Sequence, residues 1–137
     1  GCNCGGVSDY TKADINAAAK RALELASEGR TIGRDKYPHV YNDYERFSFT
    51  HAKKPYLEFP VVQDGQVYDG GSPGADRVII GSIASNFKSA VYCTVITHDG
   101  ERKNGFAECQ DDTMNVSGKG SYEIPEEVDL LDHLGPW

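Results

Sequence analysis

The sequence is poor in positive charge, in sulfur and in long apolar runs. Its 137 residues hold 14 Lys and Arg against 21 Asp and Glu, and the net charge of -7 argues at first against a nucleic-acid partner. No apolar run approaches the roughly 20 residues of a membrane-spanning helix, so no membrane partner is expected. With 39% hydrophobic and 26% charged residues, the composition excludes disordered, collagen-like and coiled-coil classes and fits one globular domain.

The chain has four cysteines. Cys2 and Cys4 lie at the N-terminus, and Cys93 and Cys109 lie late in the chain. Cys2 and Cys4 are closer than the usual spacing of zinc ligands and Cys93 and Cys109 are far apart, so two long-range disulfides are favoured over a metal site. We therefore expect no metal or other cofactor. Disulfides, together with Met114 as the only methionine, lead us to expect a secreted protein whose signal peptide has been removed.

One amphipathic helix is predicted near the N-terminus. Thr11 can cap it, Asp14 is placed to complete a capping box, and Gly29 can end it. Between these signals, apolar residues recur at helical spacing, at Ile15, Ala18, Ala22, Leu25 and Ala26. After the helix, the chain reads as β structure as far as residue 109, which predicts an α+β fold with the helix packed on a twisted antiparallel sheet.

Alternating apolar residues separated by turn signals predict five strands. They are Glu45 to His51, Tyr56 to Val62, Asp76 to Ile80, Val91 to His98 and Phe106 to Cys109. Period-two alternation predicts the residues that pack beneath the helix, namely Leu57, Phe59, Val61, Val78, Ile80, Val91, Cys93 and Val95. Glu58, Arg77 and His98 then share the opposite, uncovered face of the sheet.

Residues 110–137 differ from the rest of the chain. They hold seven acidic residues and one basic residue, which leaves a net charge of only -1 on residues 1–109. We therefore predict a domain over 1–109 and an acidic extension over 110–137, with a linker at 110–121 and a possible short helix from Pro125 to Leu134. The overall acidity is mostly a property of this extension and does not exclude a polyanion at the sheet face.

A carboxylate, a guanidinium and an imidazole on one open face suit a particular reaction. With His39 nearby, they supply what is needed when a ribose 2′-hydroxyl attacks its own phosphodiester: a base, an acid and a cation. RNA brings its own nucleophile, so no metal is required, and DNA is not a substrate. Structural alternatives exist, because Arg77 could pair with Asp76 and Glu58 alone would be ordinary on a solvated surface.

Five stretches, in order within residues 4–109, resemble the fungal extracellular guanyl-specific ribonucleases, which are related to ribotoxins. They are Tyr37-Pro38-His39-Val40-Tyr41-Asn42-Asp43-Tyr44-Glu45, Tyr56-Leu57-Glu58-Phe59-Pro60, Gly70-Gly71-Ser72-Pro73-Gly74-Ala75-Asp76-Arg77-Val78, Ile96-Thr97-His98 and Asn104-Gly105-Phe106. The resemblance implies the microbial ribonuclease fold, with its RNA site on the exposed face of the sheet.

The resemblance also implies catalytic roles. Glu58 would be the general base, assisted by His39, and His98 the general acid. Arg77 would neutralise the phosphate, the Tyr37 hydroxyl would donate to a phosphate oxygen, and Phe106 would shape the pocket. The expected products are a 2′,3′-cyclic phosphate and then a 3′-phosphate.

Guanine recognition would fall to residues just after His39. The resemblance implies that the base stacks between Tyr41 and Tyr44 and that Glu45 accepts from its N1–H and N2–H groups, with the set completed by Asn42, Asp43 and Asn104. A carboxylate left unpaired by adenine would disfavour that base. Arg46 departs from the small residue expected after Glu45, and it could weaken this preference or contact the RNA backbone.

The resemblance further implies a Cys4–Cys109 disulfide, and Cys2–Cys93 is then left as the second pair. The expected partner is single-stranded, guanine-containing RNA, bound by a secreted monomer. Two alternatives stay open: a ribotoxin-like enzyme that attacks ribosomal RNA, or a secreted effector that uses the scaffold to bind host RNA or protein. The acidic extension could keep the protein soluble or fold back on the cationic site in competition with RNA.

Overall fold

The computed structural model describes residues 2–3, 9–42, 52–64, 66–97, 107–109 and 122–123. Within these ranges lie helix α1 (Lys12–Ser27) and eight strands. The strands are β1 (Cys2–Asn3), β2 (Asp9–Tyr10), β3 (His39–Tyr41), β4 (Tyr56–Pro60), β5 (Asp76–Gly81), β6 (Val91–Thr97), β7 (Ala107–Glu108) and β8 (Tyr122–Glu123). In the described part of the chain, no helix is long and apolar enough to cross a membrane.

Helix α1 begins and ends at the signals that its sequence contains. The Thr11 hydroxyl accepts from the Asp14 N–H at 3.1 Å, and the Asp14 carboxylate accepts from the Thr11 N–H at 2.9 Å, so the predicted capping box is present. Glu28 caps the C-terminus, and Gly29 follows in the left-handed region at φ +65°, which costs glycine little. These local contacts satisfy backbone groups that a helix terminus leaves open.

The main sheet is antiparallel, with strand order β3-β4-β5-β6-β7. Strand β8 pairs with the start of β6, beside Val91 and Tyr92, so the acidic extension adds a strand that its sequence did not predict. Strands β1 and β2 form a separate two-stranded sheet. The helix contacts β4 and β5, which confirms the predicted α+β arrangement.

The predicted strands mostly match those observed. Strand β5 extends one residue beyond its prediction, β4 ends at Pro60, and Val61 makes only an isolated bridge to Val67. Strand β3 was not predicted. The predicted strand from Glu45 to His51, the 110–121 linker and the helix from Pro125 to Leu134 lie outside the described residues.

Two clusters of buried residues fill the two faces of the sheet. The first joins the helix to one face and includes Phe59, Val61, Val78, Ile80, Tyr92 and Val95. The second lies on the opposite face and includes Tyr41, Ala52, Tyr56, Ile79, Cys93 and Ile96, with Val91 packed against it. The prediction that Val91 and Cys93 lie beneath the helix is therefore wrong.

A β-bulge explains this correction. Ile79 pairs with Thr94 and Ile80 with Tyr92, so Cys93 is an extra residue in β6 and the alternation reverses at that point. Cys93 is a reduced thiol, fully buried in the second cluster, whereas Cys2 belongs to the separate two-stranded sheet. The predicted Cys2–Cys93 disulfide is therefore wrong. Cys109 is disulfide-bonded, but its predicted partner Cys4 lies outside the described residues, so that pairing stays a prediction.

Candidate active site

Three adjacent strands bring His39, Glu58 and Arg77 to one face of the sheet. His39 in β3 pairs directly with Glu58 in β4, and Arg77 in β5 pairs with Pro60, two residues along from Glu58. Residues two apart on a strand share a face, so the three side chains converge. The face opposite the helix therefore carries Glu58 and Arg77 together, as the alternation predicted.

The Glu58 carboxylate lies between an imidazole and a guanidinium. Its Oε2 is 3.6 Å from His39 Nδ1, and its Oε1 is 3.7 Å from Arg77 Nε. Glu58 and Arg77 are 5% and 3% exposed, whereas the His39 side chain is 38% exposed. The carboxylate is therefore buried with a cation beside it, while solvent reaches the imidazole.

The Arg77 guanidinium is held in place by oxygen acceptors on several sides. Its Nη1 donates to the carbonyls of Gly74 at 2.9 Å and Asp76 at 3.0 Å, and its Nε donates to the Tyr37 hydroxyl oxygen at 3.0 Å. The Tyr37 ring also lies 5.0 Å from the guanidinium carbon, within cation–π range. The cation is thus positioned before any substrate arrives, which favours electrostatic catalysis.

Tyr37 links this cation to the imidazole. Its ring stacks on that of His39, with the centroids 4.6 Å apart and the planes 23° from parallel. Burial raises the pKa of Tyr37 above its usual 10.0, and Arg77 offsets part of that rise. The phenol therefore stays protonated at neutral pH. The family resemblance implied that Tyr37 lies at the phosphate. No local sequence pattern predicts that Tyr37 accepts from Arg77, because that contact joins residues 40 positions apart.

Replacing Tyr37 with Phe should remove one late-ionising phenol from the protein. Because its folded pKa exceeds the unfolded value of 10.0, the stability linked to this phenol is complete below pH 10 and is lost as the pH rises through the folded value. Absorbance titration of phenolate should show the loss above pH 10. Burial also raises the pKa of Tyr68, so Tyr37→Phe/Tyr68→Phe should remove two such phenols. Loss of a normally titrating phenol from Tyr37→Phe would contradict the assignment.

The contacts of Asp76 indicate a structural role. The Tyr10 hydroxyl donates to Asp76 Oδ2, and the carboxylate is 4% exposed. Arg77 donates to the backbone carbonyl of Asp76, and the alternative of a side-chain Asp76–Arg77 ion pair is not observed among the described contacts. Asp76 therefore anchors the start of β5 and leaves Arg77 to face Glu58.

The predicted base-binding segment begins where β3 ends. Tyr41 is buried in the second cluster and pairs with Tyr56, and Asn42 follows it at an exposed position. The other predicted site residues lie outside the described residues and stay predictions; they are Asp43, Tyr44, Glu45, His98, Asn104 and Phe106. Within the described ranges, no three His, Cys, Asp or Glu side chains are grouped closely enough to hold a metal ion.

Comparison with known proteins bears on what this arrangement does. A sequence model of the ribonuclease family matches residues 1–110. Guanyl-specific ribonuclease T1 of Aspergillus oryzae is 40% identical over 109 residues, covering 80% of this chain and 75% of that protein. Extracellular guanyl-specific ribonuclease Fl1 of Gibberella baccata is 43% identical over 108 residues, covering 79% of this chain and 95% of that protein.

A solved structure agrees with these sequence relatives. The ribonuclease from Hericium erinaceus superposes with a TM-score of 0.54 and 39% identity, covering 80% of this chain and 98% of that one. The family match, the sequence identities and the shared fold agree with one another. The chain therefore belongs to the ribonuclease family that includes these fungal enzymes.

Proposed function

We propose that this ribonuclease is a secreted, metal-independent enzyme that cleaves single-stranded RNA after guanosine. The observation that carries the proposal is the buried Glu58 carboxylate, held between the His39 imidazole and the fixed Arg77 guanidinium. Secretion is supported by a relative named as extracellular and by the disulfide at Cys109. Guanine specificity is supported by relatives named as guanyl-specific.

The first step is attack of the guanosine 2′-oxygen on the adjacent phosphorus. Glu58, assisted by His39, accepts the 2′-proton, and His98 donates a proton to the departing 5′-oxygen as the P–O5′ bond breaks. The products are a 2′,3′-cyclic phosphate and a free 5′-hydroxyl. Water then opens the ring with the two roles reversed, which leaves a 3′-phosphate.

Charge develops on the phosphorane oxygens during this step. Arg77 is already fixed by backbone carbonyls and by Tyr37, so its charge needs little reorganisation to stabilise them. The Tyr37 oxygen accepts from Arg77, and its own O–H can donate to a phosphate oxygen. Phe106 would complete the apolar wall of the pocket.

Guanine is selected on the far side of the ribose from the scissile phosphate. Tyr41 and Tyr44 stack on the base, which contributes roughly 1–3 kcal/mol without distinguishing bases. Glu45 accepts from guanine N1–H and N2–H, while Asn42, Asp43 and Asn104 complete the hydrogen bonds. Adenine presents an acceptor where guanine has a donor, so it leaves the carboxylate partly unpaired.

Digestion of defined oligonucleotides tests this function. Each should contain one internal G, A, C or U, and mass spectrometry should detect a cyclic phosphate and later a 3′-phosphate only after guanosine, with or without a chelator. A matched oligonucleotide with 2′-deoxyguanosine should stay intact. Equal cleavage after adenosine would refute guanine specificity and direct attention to Arg46. One discrete fragment from intact ribosomes, without cleavage of free oligonucleotides, would instead support a ribotoxin.

A further inference from the structure

One end of the main sheet collects basic and aromatic side chains that the proposed mechanism does not use. Strands β3 and β5 end there, at Tyr41 and Gly81, and β4 and β6 begin there, at Tyr56 and Val91. We call this region the basic end and define it as residues 53–56 and 82–90. These residues contain three lysines and no acidic residue, and Glu123 of β8, which pairs with Val91 beside them, leaves positive charge in excess.

A pocket opens at the basic end, beside the described part of the predicted guanine site. Its volume is about 310 Å³, and its lining residues are Val40, Tyr41, Asn42, Lys54, Pro55 and Tyr56. Tyr41 and Asn42 belong to the proposed guanine site, so the pocket continues that site rather than forming a separate cleft. Lys54, exposed at its rim, supplies positive charge.

Two hydrogen bonds tie the lysine pair to the loop that follows β5. The Lys53 N–H donates to Ser82 Oγ at 2.7 Å, and the Ser82 N–H donates to the Lys53 carbonyl at 2.8 Å. Lys88, farther along this loop, is also exposed. Lys53, Lys54 and Lys88 thus lie on two segments held directly against each other.

The same loop presents an aromatic ring in an unusual backbone conformation. Phe87 is 36% exposed at φ +59°, a region that bulky residues seldom adopt. Its N–H donates to the Ala84 carbonyl at 2.8 Å, and the Asn86 side chain accepts from the Lys88 N–H at 3.0 Å. The turn therefore fixes a partly exposed phenyl ring beside a lysine, and such strain is a reason to look for function.

We propose that the basic end binds the RNA segment on the 5′ side of the cleaved guanosine. This inference rests on the proposed function, which places the scissile 3′-phosphate at His39, Glu58 and Arg77. From His39, beside Glu58, strand β3 runs to Tyr41 and Asn42, which line the pocket at the basic end. The scissile phosphate leads to the downstream nucleotide, so the RNA left to contact the basic end is the segment upstream of the guanosine.

The chemistry of the basic end suits single-stranded RNA of any sequence. Lysine side chains neutralise backbone phosphates, and an exposed aromatic ring stacks on a base whatever its identity. The surface would therefore raise affinity for longer substrates without changing the base after which they are cleaved.

Binding of two uncleavable ligands tests the inference. Both carry 2′-deoxyguanosine, one as the dinucleotide (dG)C and one as the pentanucleotide CCC(dG)C, and calorimetry measures their affinities. The wild-type protein should bind the pentanucleotide at least about tenfold more tightly. Lys53→Ala/Lys54→Ala should abolish most of this gain, leave the dinucleotide affinity unchanged and reduce the slope of log affinity against log salt by about 1.4.

Phe87→Gly provides a second variant that should fold, because glycine adopts φ +59° without steric cost. This variant should reduce the affinity advantage of the pentanucleotide over the dinucleotide about fivefold, because stacking on the phenyl ring is lost. Lys12→Ala/Lys20→Ala removes the same charge from helix α1, across the sheet, and should retain the full gain.

Two outcomes would overturn the inference. The wild-type protein could bind the pentanucleotide no more tightly than the dinucleotide, or the basic-end and helix variants could lose pentanucleotide affinity equally. Cleavage is measured separately, with GC and CCCGC made as RNA. Failure to cleave either would refute the proposed function, while the affinities of the uncleavable ligands would still decide whether the basic end binds RNA.

Discussion

Glu58→Gln lowers the turnover of guanosine-containing RNA by about 10²- to 10⁴-fold, the range that a positioned general base contributes. Glutamine keeps the size of the side chain, so it should occupy the place between His39 and Arg77, but it cannot accept the 2′-proton. Single-turnover cleavage of an oligonucleotide with one guanosine measures the loss. Circular dichroism should show an unchanged fold, because Arg77 keeps its bonds to Tyr37, Gly74 and Asp76.

Glu24→Gln is the matched control for this experiment. Glu24 lies on helix α1, and its side chain is 48% exposed and pairs with Arg21 at 3.5 Å. The same chemical change there should leave turnover within a factor of two. Turnover of Glu58→Gln within threefold of wild type would remove Glu58 from the mechanism.

Arg77→Met destabilises the protein by about 3–5 kcal/mol, the usual cost of removing one partner from a buried ion pair. Methionine has a similar length and no charge, so the Glu58 carboxylate stays buried without its guanidinium. The carbonyls of Gly74 and Asp76 and the Tyr37 oxygen also lose a donor. Urea denaturation, monitored by fluorescence and circular dichroism, measures the change in the free energy of unfolding.

A double-mutant cycle separates the ion pair from general packing. Combining Arg77→Met with Glu58→Gln should recover part of the lost stability, because the second change removes the uncompensated charge. Arg30→Met is the surface control, since Arg30 pairs with Glu28 at 2.8 Å in solvent and should change stability by less than about 1 kcal/mol. Strict additivity of the two buried changes would show that Glu58 and Arg77 do not depend on each other.

The features that the sequence predicted correctly arise from residues that are close together in the chain. The Thr11–Asp14 capping box and Gly29 define helix α1 because both signals act within one turn of the helix. Alternation placed Glu58 and Arg77 on one face because a regular strand turns successive side chains to opposite sides. The family resemblance then supplied roles that pattern alone does not provide.

The features that sequence reasoning missed depend on pairing between residues that are far apart in the chain. Strand β3 spans only three residues, too few for alternation to be visible, although it brings His39 opposite Glu58. The bulge at Cys93 arises between β5 and β6, and neither strand shows it alone. Counting cysteines therefore paired Cys93 with Cys2, whereas the fold buries its thiol in the second cluster. The Tyr37–Arg77 contact was missed for the same reason.

The pairing of β3, β4 and β5 has a further consequence for how activity depends on folding. His39, Glu58 and Arg77 each come from a different strand, and their meeting depends on the register of two ladders. A slip of one residue in β4 would move Glu58 to the helix side and bring Leu57 or Phe59 to the site. Because the same slip would also expose the apolar core, misregistered chains lose catalysis and stability together, and recovered activity is a direct report of correct strand pairing.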